Sequence, residues 1–363
     1  MHFTDMTDHL ITNMHQLTAG WLTTVLANKG VLLTGRVNEV AFEQSGSTNA
    51  DLVKIHLRYQ TGSTGVLPAT LLLKMCTGGQ LGFGPSEVNY YARDYLGLTQ
   101  APLPTCYDAY YSAEQRRYHI LMDDHSATHR NNWDTNPTLS YGTEVAQAVA
   151  RLHAYWWGEQ RLHEGGISIP RPIEINFYLS HIRPGLSPML ESAQGDIDPS
   201  WASILYDIFE RHPMKMVERV QESKGFTLIH GDLNPGNILS PLNGHLPTYL
   251  IDRQPFEWSL TTWLGVSDLS YMMVHWWETD LRRKWEWSIL RQYHESLSSH
   301  GVSGYSWEQL VFDYKLCAIQ SIYVATAWCV EEEDRFKMKW VWLPQLQLSM
   351  AAYFDLHCDE LLA

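Results

Sequence analysis

A change of hydrophobic period near Asp123-Asp124 constrains this chain more than any other feature. Before it, apolar residues alternate with polar ones; after it, they recur at helical spacing. Leu52 to Tyr59, with Val53, Ile55 and Leu57 on one side, shows the two-residue alternation of a strand with one buried face. Val37 to Glu43, Ala69 to Met75, Thr105 to Tyr111 and Arg117 to Met122 read the same way. A helix is expected over Thr7 to Asn28, stopped by Gly30, and a second from Ser86, as its N-cap, to Tyr95.

Beyond residue 123, helices are expected over Tyr141 to Trp157, Asp198 to Ser223, Leu269 to Glu278, Arg282 to His300, Trp307 to Val330 and Leu343 to Leu362. Two short strands, before Asp232 and Asp252, are the only clear β signal there. The expectation is an α+β protein with a β-rich N-lobe over residues 1–122 and an α-rich C-lobe over residues 123–363.

Bulk properties exclude several classes. A net charge of −14 argues against a nucleic-acid partner, whose affinity rests on Lys and Arg. The five cysteines are scattered without a CxxC pair, a pattern of reduced cytosolic thiols rather than a disulfide framework. The N-terminus carries early acids and no basic and apolar leader, and no run approaches the roughly 18 apolar residues of a spanning helix. A soluble cytoplasmic protein with no membrane partner is expected. His125 and His129 are four apart but lack the HExxH context and a third ligand, so they read as chance spacing rather than a metal site.

The residues that point to chemistry lie in His230-Gly231-Asp232-Leu233-Asn234-Pro235-Gly236-Asn237, between apolar runs, and in Asp252, which follows Tyr249-Leu250-Ile251. An Asx-rich turn alone explains Asp-x-Asn-Pro-Gly. It does not explain a second acid emerging from the next apolar run. Together they suit phosphoryl transfer from a nucleotide, which needs a carboxylate to orient the attacking hydroxyl and oxygen ligands for Mg²⁺. Lys74, inside Leu71-Leu72-Leu73-Lys74-Met75, needs a partner, and Glu87 in the first turn of the next helix is the candidate.

These segments resemble the catalytic loop and metal-binding Asp of the aminoglycoside phosphotransferase and choline kinase branch of the protein-kinase-like fold. Leu71 to Met75 followed by Ser86-Glu87-Val88-Asn89-Tyr90-Tyr91 looks most like the ecdysteroid-kinase-like subgroup. The resemblance implies a bilobal fold with an antiparallel β-sheet N-lobe and a mainly helical C-lobe. It implies Asp232 as catalytic base, Asn237 and Asp252 as Mg²⁺ ligands, and Lys74 with Glu87 on the α- and β-phosphates. It places Met122 behind adenine, with the backbone of Asp123 and His125 facing the adenine edge. His230 and Asp268 would support the loop, although a simple N-cap explains Asp268 equally well. Ser47, in the turn Ser45 to Asn49, is the candidate for covering the phosphates, and an ordinary hairpin turn is an equal alternative. Arg253 departs from the family pattern, standing where an aromatic or apolar residue is usual.

ATP or GTP with Mg²⁺ would be the cofactors, and the acceptor a small-molecule alcohol such as an amino sugar, an amino alcohol or a sterol-like compound. Ser259 to Thr262, with Trp258 and Trp263, is expected to border the acceptor. Most of the later tryptophans read as core, and Glu331 to Asp334 as the solvated end of a long helix. Two other readings remain: a protein kinase, against which the missing HRD, DFG and APE signatures count, and a catalytically silent nucleotide-binding scaffold, against which the intact Lys74, Asp232, Asn237 and Asp252 count.

Overall fold

A computed structural model describes residues 10–46, 50–76, 83–244 and 246–363. The chain forms two compact units, residues 1–130 with 241–257, and residues 131–240 with 258–363. The first unit therefore runs past the boundary read at Asp123-Asp124 and takes back a later segment. That segment is tied into the unit by the Leu250 N–H on the Pro102 carbonyl and by the Pro255 carbonyl, which accepts from the Gly84 N–H.

In the first unit, helix α1 (Ala19–Asn28) is followed by strands β1 (Leu32–Thr34), β2 (Val37–Gly46), β3 (Ala50–Tyr59), β4 (Thr64–Gly65) and β5 (Thr70–Cys76), then helix α2 (Ser86–Asn89) and strands β6 (Cys106–Ser112) and β7 (Arg117–Asp123). Helix α1 starts later than expected because the Thr18 hydroxyl accepts the Trp21 N–H as its N-cap, preceded by a separate 3₁₀ turn, Met14–Gln16. It ends as expected at Gly30, whose φ of 74° lets the Gly30 and Val31 N–H groups close back on Ala27 and Leu26.

The main sheet is antiparallel in the order β2-β3-β5-β7-β6. Strand alternation decides its two faces. Val53, Ile55 and Leu57 join Leu71, Leu73 and Met75 in one core with Leu22, Val25 and Leu26 of α1. Lys74 has the opposite parity and leaves that core for the other face, toward α2. Helix α2 is shorter than expected. Ser86 is its first residue rather than its cap, Pro85 precedes it without a side-chain cap, and the winding loosens into a π turn over Tyr90–Asp94.

The second unit holds helices α3 (Leu139–Tyr155), α4 (Glu159–Glu164), α5 (Pro172–Ser180), α6 (Leu186–Ser192), α7 (Trp201–Arg219), α8 (Val266–Trp276), α9 (Thr279–Ser299), α10 (Trp307–Ala327), α11 (Glu332–Lys337), α12 (Lys339–Asp355) and α13 (Asp359–Leu362). Leu269, Met272, Ile289, Tyr293, Ile319, Ile322, Trp342 and Leu346 form its closed interior. The acidic run does not end a helix: Glu332, Glu333 and Asp334 open α11, where negative charge favours the helix dipole. The expected last helix is two, broken after Asp355 where His357 takes a φ of 51°. Trp263 is fully buried and belongs to the core rather than to an acceptor border, whereas Trp258 is only partly buried. No described helix is long and apolar enough to cross a membrane.

Two histidines are sealed into this interior. His212 Nε2 donates to the Leu316 carbonyl at 3.0 Å while Nδ1 meets the Tyr323 hydroxyl at 2.8 Å, and His275 Nε2 donates to the Ser321 carbonyl at 2.7 Å. Burial holds both rings neutral, pushing His212 down to about 3 and His275 down to about 4. Unfolding restores an ordinary imidazole that takes up a proton below about pH 6.5. The stability these groups contribute is therefore complete above pH 6.5 and lost as pH falls through the depressed values. Urea unfolding at pH 7, 6 and 5 should show stability falling with acid. His212→Gln should flatten that slope, by at most about 1.4 kcal/mol per pH unit; an unchanged slope would contradict the sealed neutral ring.

Candidate active site

Two clusters of polar residues stand out, one in each unit. In the first, Lys74 Nζ donates to Glu87 Oε1 and Oε2 at 2.8 and 3.0 Å and lies 3.0 Å from Asp252 Oδ1. Burial opposes the charge on Lys74, but the Asp252 and Glu87 carboxylates more than offset it and raise the ammonium above its ordinary value. Glu87 is almost fully enclosed and also accepts from the Tyr118 hydroxyl. Burial pushes Glu87 upward, Lys74 pulls it down, and the charge of Asp252 adds to the upward push.

Asp252 is the more open acid, with 37% of its side chain exposed, so a ligand can still reach it. Its φ of 60° is left-handed, a conformation Asp tolerates better than most residues. Its N–H donates to the Tyr91 hydroxyl at 3.1 Å. Arg253, the departure from the family pattern, turns inward to Asp94 at 2.8 Å.

Met122 is buried on β7, opposite Leu72 and Cys106. Neither acid after it is a merely solvated linker residue. Asp123 accepts from the Tyr107 hydroxyl at 2.6 Å, and its N–H is already bonded to the Thr105 carbonyl. Asp124 pairs with Lys54 at 2.9 Å. Burial opposes its ionisation, but Lys54 and the Ser126 N–H hold it down at about 2. The His125 ring stacks on Tyr249 with centroids 4.3 Å apart, and burial lowers its basicity. His129 Nε2 meets the Pro247 carbonyl. Ser47 lies outside the described residues.

In the second unit, strand Phe226–Leu228 pairs antiparallel with Thr262–Leu264, and the Ile229 N–H continues the ladder to the Thr261 carbonyl at 3.0 Å. The polar loop follows directly. Asp232 Oδ1 accepts from the Tyr271 hydroxyl and from Asn234 Nδ2, both at 2.9 Å, and Oδ2 accepts from Asn237 Nδ2 at 3.1 Å. Asn237 Nδ2 also donates to the Asp232 carbonyl at 2.8 Å. Asn234 in turn caps the 3₁₀ turn Pro235–Asn237 by accepting the Gly236 N–H at 2.8 Å.

Beneath this loop lies Asp268, the third residue of α8 and buried. Its Oδ2 accepts the His230 N–H at 2.7 Å and its Oδ1 the Gly231 N–H at 2.8 Å. His153 Nε2 sits 3.1 Å from the same carboxylate and is held from behind by Tyr293. Burial alone would raise this acid, but His153, His230 and the Gly231 N–H keep it below its ordinary value. The carboxylate does not cap its own helix: it is spent on two loop N–H groups, which it can receive as charge-assisted bonds. Gly231, which supplies one of them, has a φ of 78°, which a side chain would strain.

The structure thus joins Lys74, Glu87 and Asp252 in one cluster, and His230, Asp232, Asn237 and Asp268 in another. Sequence reading missed Asn234, Tyr271, His153 as the partner of Asp268, and Asp94. Only Asn234 carried a local signal, its place before Pro-Gly.

Three solved structures share the protein-kinase-like fold, with an antiparallel-sheet N-lobe and a mainly helical C-lobe. They are spectinomycin phosphotransferase in complex with ADP and spectinomycin (12% identity, covering 94% of this chain and 99% of that one, TM-score 0.52), choline kinase from Cryptosporidium parvum Iowa II (11%, 89% and 90%, 0.50) and glucosamine kinase (13%, 93% and 99%, 0.50). At such identities the likeness is one of fold. No curated protein matches the sequence. The family profile described as ecdysteroid kinase-like matches residues 86–302, a span that holds Glu87, the loop His230 to Asn237, Asp252 and Asp268. The chain belongs to the ecdysteroid kinase-like family.

Proposed function

We propose that this protein is an ATP- or GTP-dependent phosphotransferase that moves the γ-phosphoryl group to a hydroxyl of a small-molecule acceptor, with Mg²⁺. The observation that carries the reading is Lys74 held between two carboxylates. One acid suffices to pair a buried lysine. The second, Asp252, is the more exposed and adds negative charge that a bound cation would relieve.

The chemistry of the residues proposed as ligands suits such a cation. Asp252 carries a carboxylate, and Asn237 an amide oxygen beside the nitrogen that donates to Asp232. Oxygen donors of this kind suit Mg²⁺, and Asn237 and Asp252 are the residues that would hold it. Bound to the phosphates, the ion would neutralise charge developing on the transferred group. Lys74 would take the α- and β-phosphates while Glu87 keeps the ammonium extended.

Asp232 would accept the hydrogen bond of the acceptor hydroxyl, aim its oxygen at the γ-phosphorus and take its proton as the phosphate ester forms, the bond from the γ-phosphorus to its bridging oxygen breaks and the nucleoside diphosphate leaves. Tyr271, Asn234 and Asn237 keep that carboxylate in one orientation beforehand, so little reorganisation is left for the reaction. Met122 and the backbone of Asp123 and His125 are assigned to the adenine. Because the Asp123 N–H is already used, its carbonyl is the main-chain group proposed for that contact. The acceptor is an alcohol of the amino-sugar, amino-alcohol or sterol-like kind, and the site of action is the cytoplasm.

Asp232→Asn should abolish phosphoryl transfer, read as nucleotide consumption with an active acceptor, and leave nucleotide binding by calorimetry nearly intact. Equal turnover would rule out the assignment. Asp268→Asn should lower kcat roughly 10- to 100-fold, the range typical for loss of a supporting shell. It should also speed amide exchange at His230 and Gly231. Unchanged exchange would contradict the anchoring role.

A further inference from the structure

The π turn Tyr90–Asp94 closes wider hydrogen-bonded rings than an α-helix, a winding found often at functional sites. Three of its side chains meet the segment that carries Asp252. The Tyr90 hydroxyl donates to the Leu250 carbonyl at 3.4 Å, the Tyr91 hydroxyl accepts the Asp252 N–H at 3.1 Å, and Asp94 Oδ2 accepts from Arg253 Nη1 at 2.8 Å.

The last of these is a buried ion pair, with side chains only 3% and 1% exposed. A guanidinium removed so far from water needs a compensating charge, and Asp94 supplies it. The Tyr90 ring lies 5.7 Å from the same guanidinium. Arg93 also reaches Asp94, at 2.7 Å, but is 61% exposed, so Arg253 is the buried member.

Asp252 stands immediately before this arginine in left-handed backbone, a conformation that persists in a non-glycine residue when its surroundings over-determine it. Here they do: its N–H is fixed by Tyr91, its carboxylate by Lys74, and the next residue by Asp94. We infer that Arg253 is the positioning residue of this turn: through its buried ion pair with Asp94 it holds the Asp252 carboxylate beside Lys74, in place for a divalent cation. The part of the inference that concerns the cation rests on the proposed function above; the clamp itself does not.

The test compares Arg253→Met, which keeps the stem without the charge, with Asp94→Leu and the double variant, in the full chain. Amide exchange at residues 250–254, measured without metal, should be at least tenfold faster in either single variant, and the double should resemble the singles rather than compound them. Mn²⁺ binding in the presence of ADP, followed by electron paramagnetic resonance, should weaken by at least tenfold in the same variants. Should Arg253→Met fail to fold, Arg253→Lys, which keeps charge but loses the planar fork, is read the same way and should show a smaller change of the same sign. A pair that serves only stability would lower Tm and leave both Asp252 exchange and Mn²⁺ affinity at wild-type values, which would overturn the inference. Failure of the underlying function looks different: the wild-type protein would bind no Mn²⁺, while exchange at Asp252 would still respond to Arg253→Met and support the clamp.

Discussion

The ammonium of Lys74, buried between Glu87 and Asp252, is the interaction on which the rest of the first unit depends. Each partner comes from a different element: β5 brings the lysine, α2 the glutamate and the returning segment 241–257 the aspartate. β5 and α2 follow one another in the chain, but Asp252 is 165 residues beyond Glu87, so the return of the chain is needed to complete the cluster. Removing one member of a buried pair leaves the other uncompensated, at a cost of roughly 3–5 kcal/mol. That penalty penalises any packing of the unit that separates the three.

The second unit solves a different problem. A loop rich in Gly, Asn and Pro has few side chains to bury and must be held by hydrogen bonds. Asp268 receives two of its backbone N–H groups, and His153 with Tyr293 fixes Asp268 in turn. Above that base, Tyr271, Asn234 and Asn237 hold the Asp232 carboxylate. The loop is thus oriented from helices α3, α8 and α9.

Much of this was legible because a charge in an apolar run demands an explanation. Lys74 and Asp252 stood out for that reason, Glu87 as the candidate partner of Lys74, and Asp232 and Asn237 as polar residues of a loop between two apolar runs; the long helices stood out because several turns of periodicity repeat. The helices α4, α5, α6 and α11 have 6, 9, 7 and 6 residues, too few turns to separate from chance spacing. Ser86 looked like a cap because hydroxyls favour that position, yet Pro85 already occupies it. Asp268 was ambiguous because an N-terminal acid serves a helix dipole or a distant N–H equally well, and only geometry separates the two. Arg253 gave a signal without a partner: its counter-charge, Asp94, lies 159 residues away on a turn whose π winding has no sequence mark.

The role proposed for the two polar clusters is to move a phosphoryl group onto an alcohol. The most direct measurement incubates the protein with γ-labelled ATP or GTP, with and without Mg²⁺, and a panel of amino sugars, amino alcohols, nucleosides, macrolides and sterols, and looks for labelled phosphate monoester. Mg²⁺-dependent label is expected on the hydroxyl of at least one acceptor. Tight nucleotide binding with no labelled alcohol anywhere in the panel would contradict it and favour a silent nucleotide-binding scaffold.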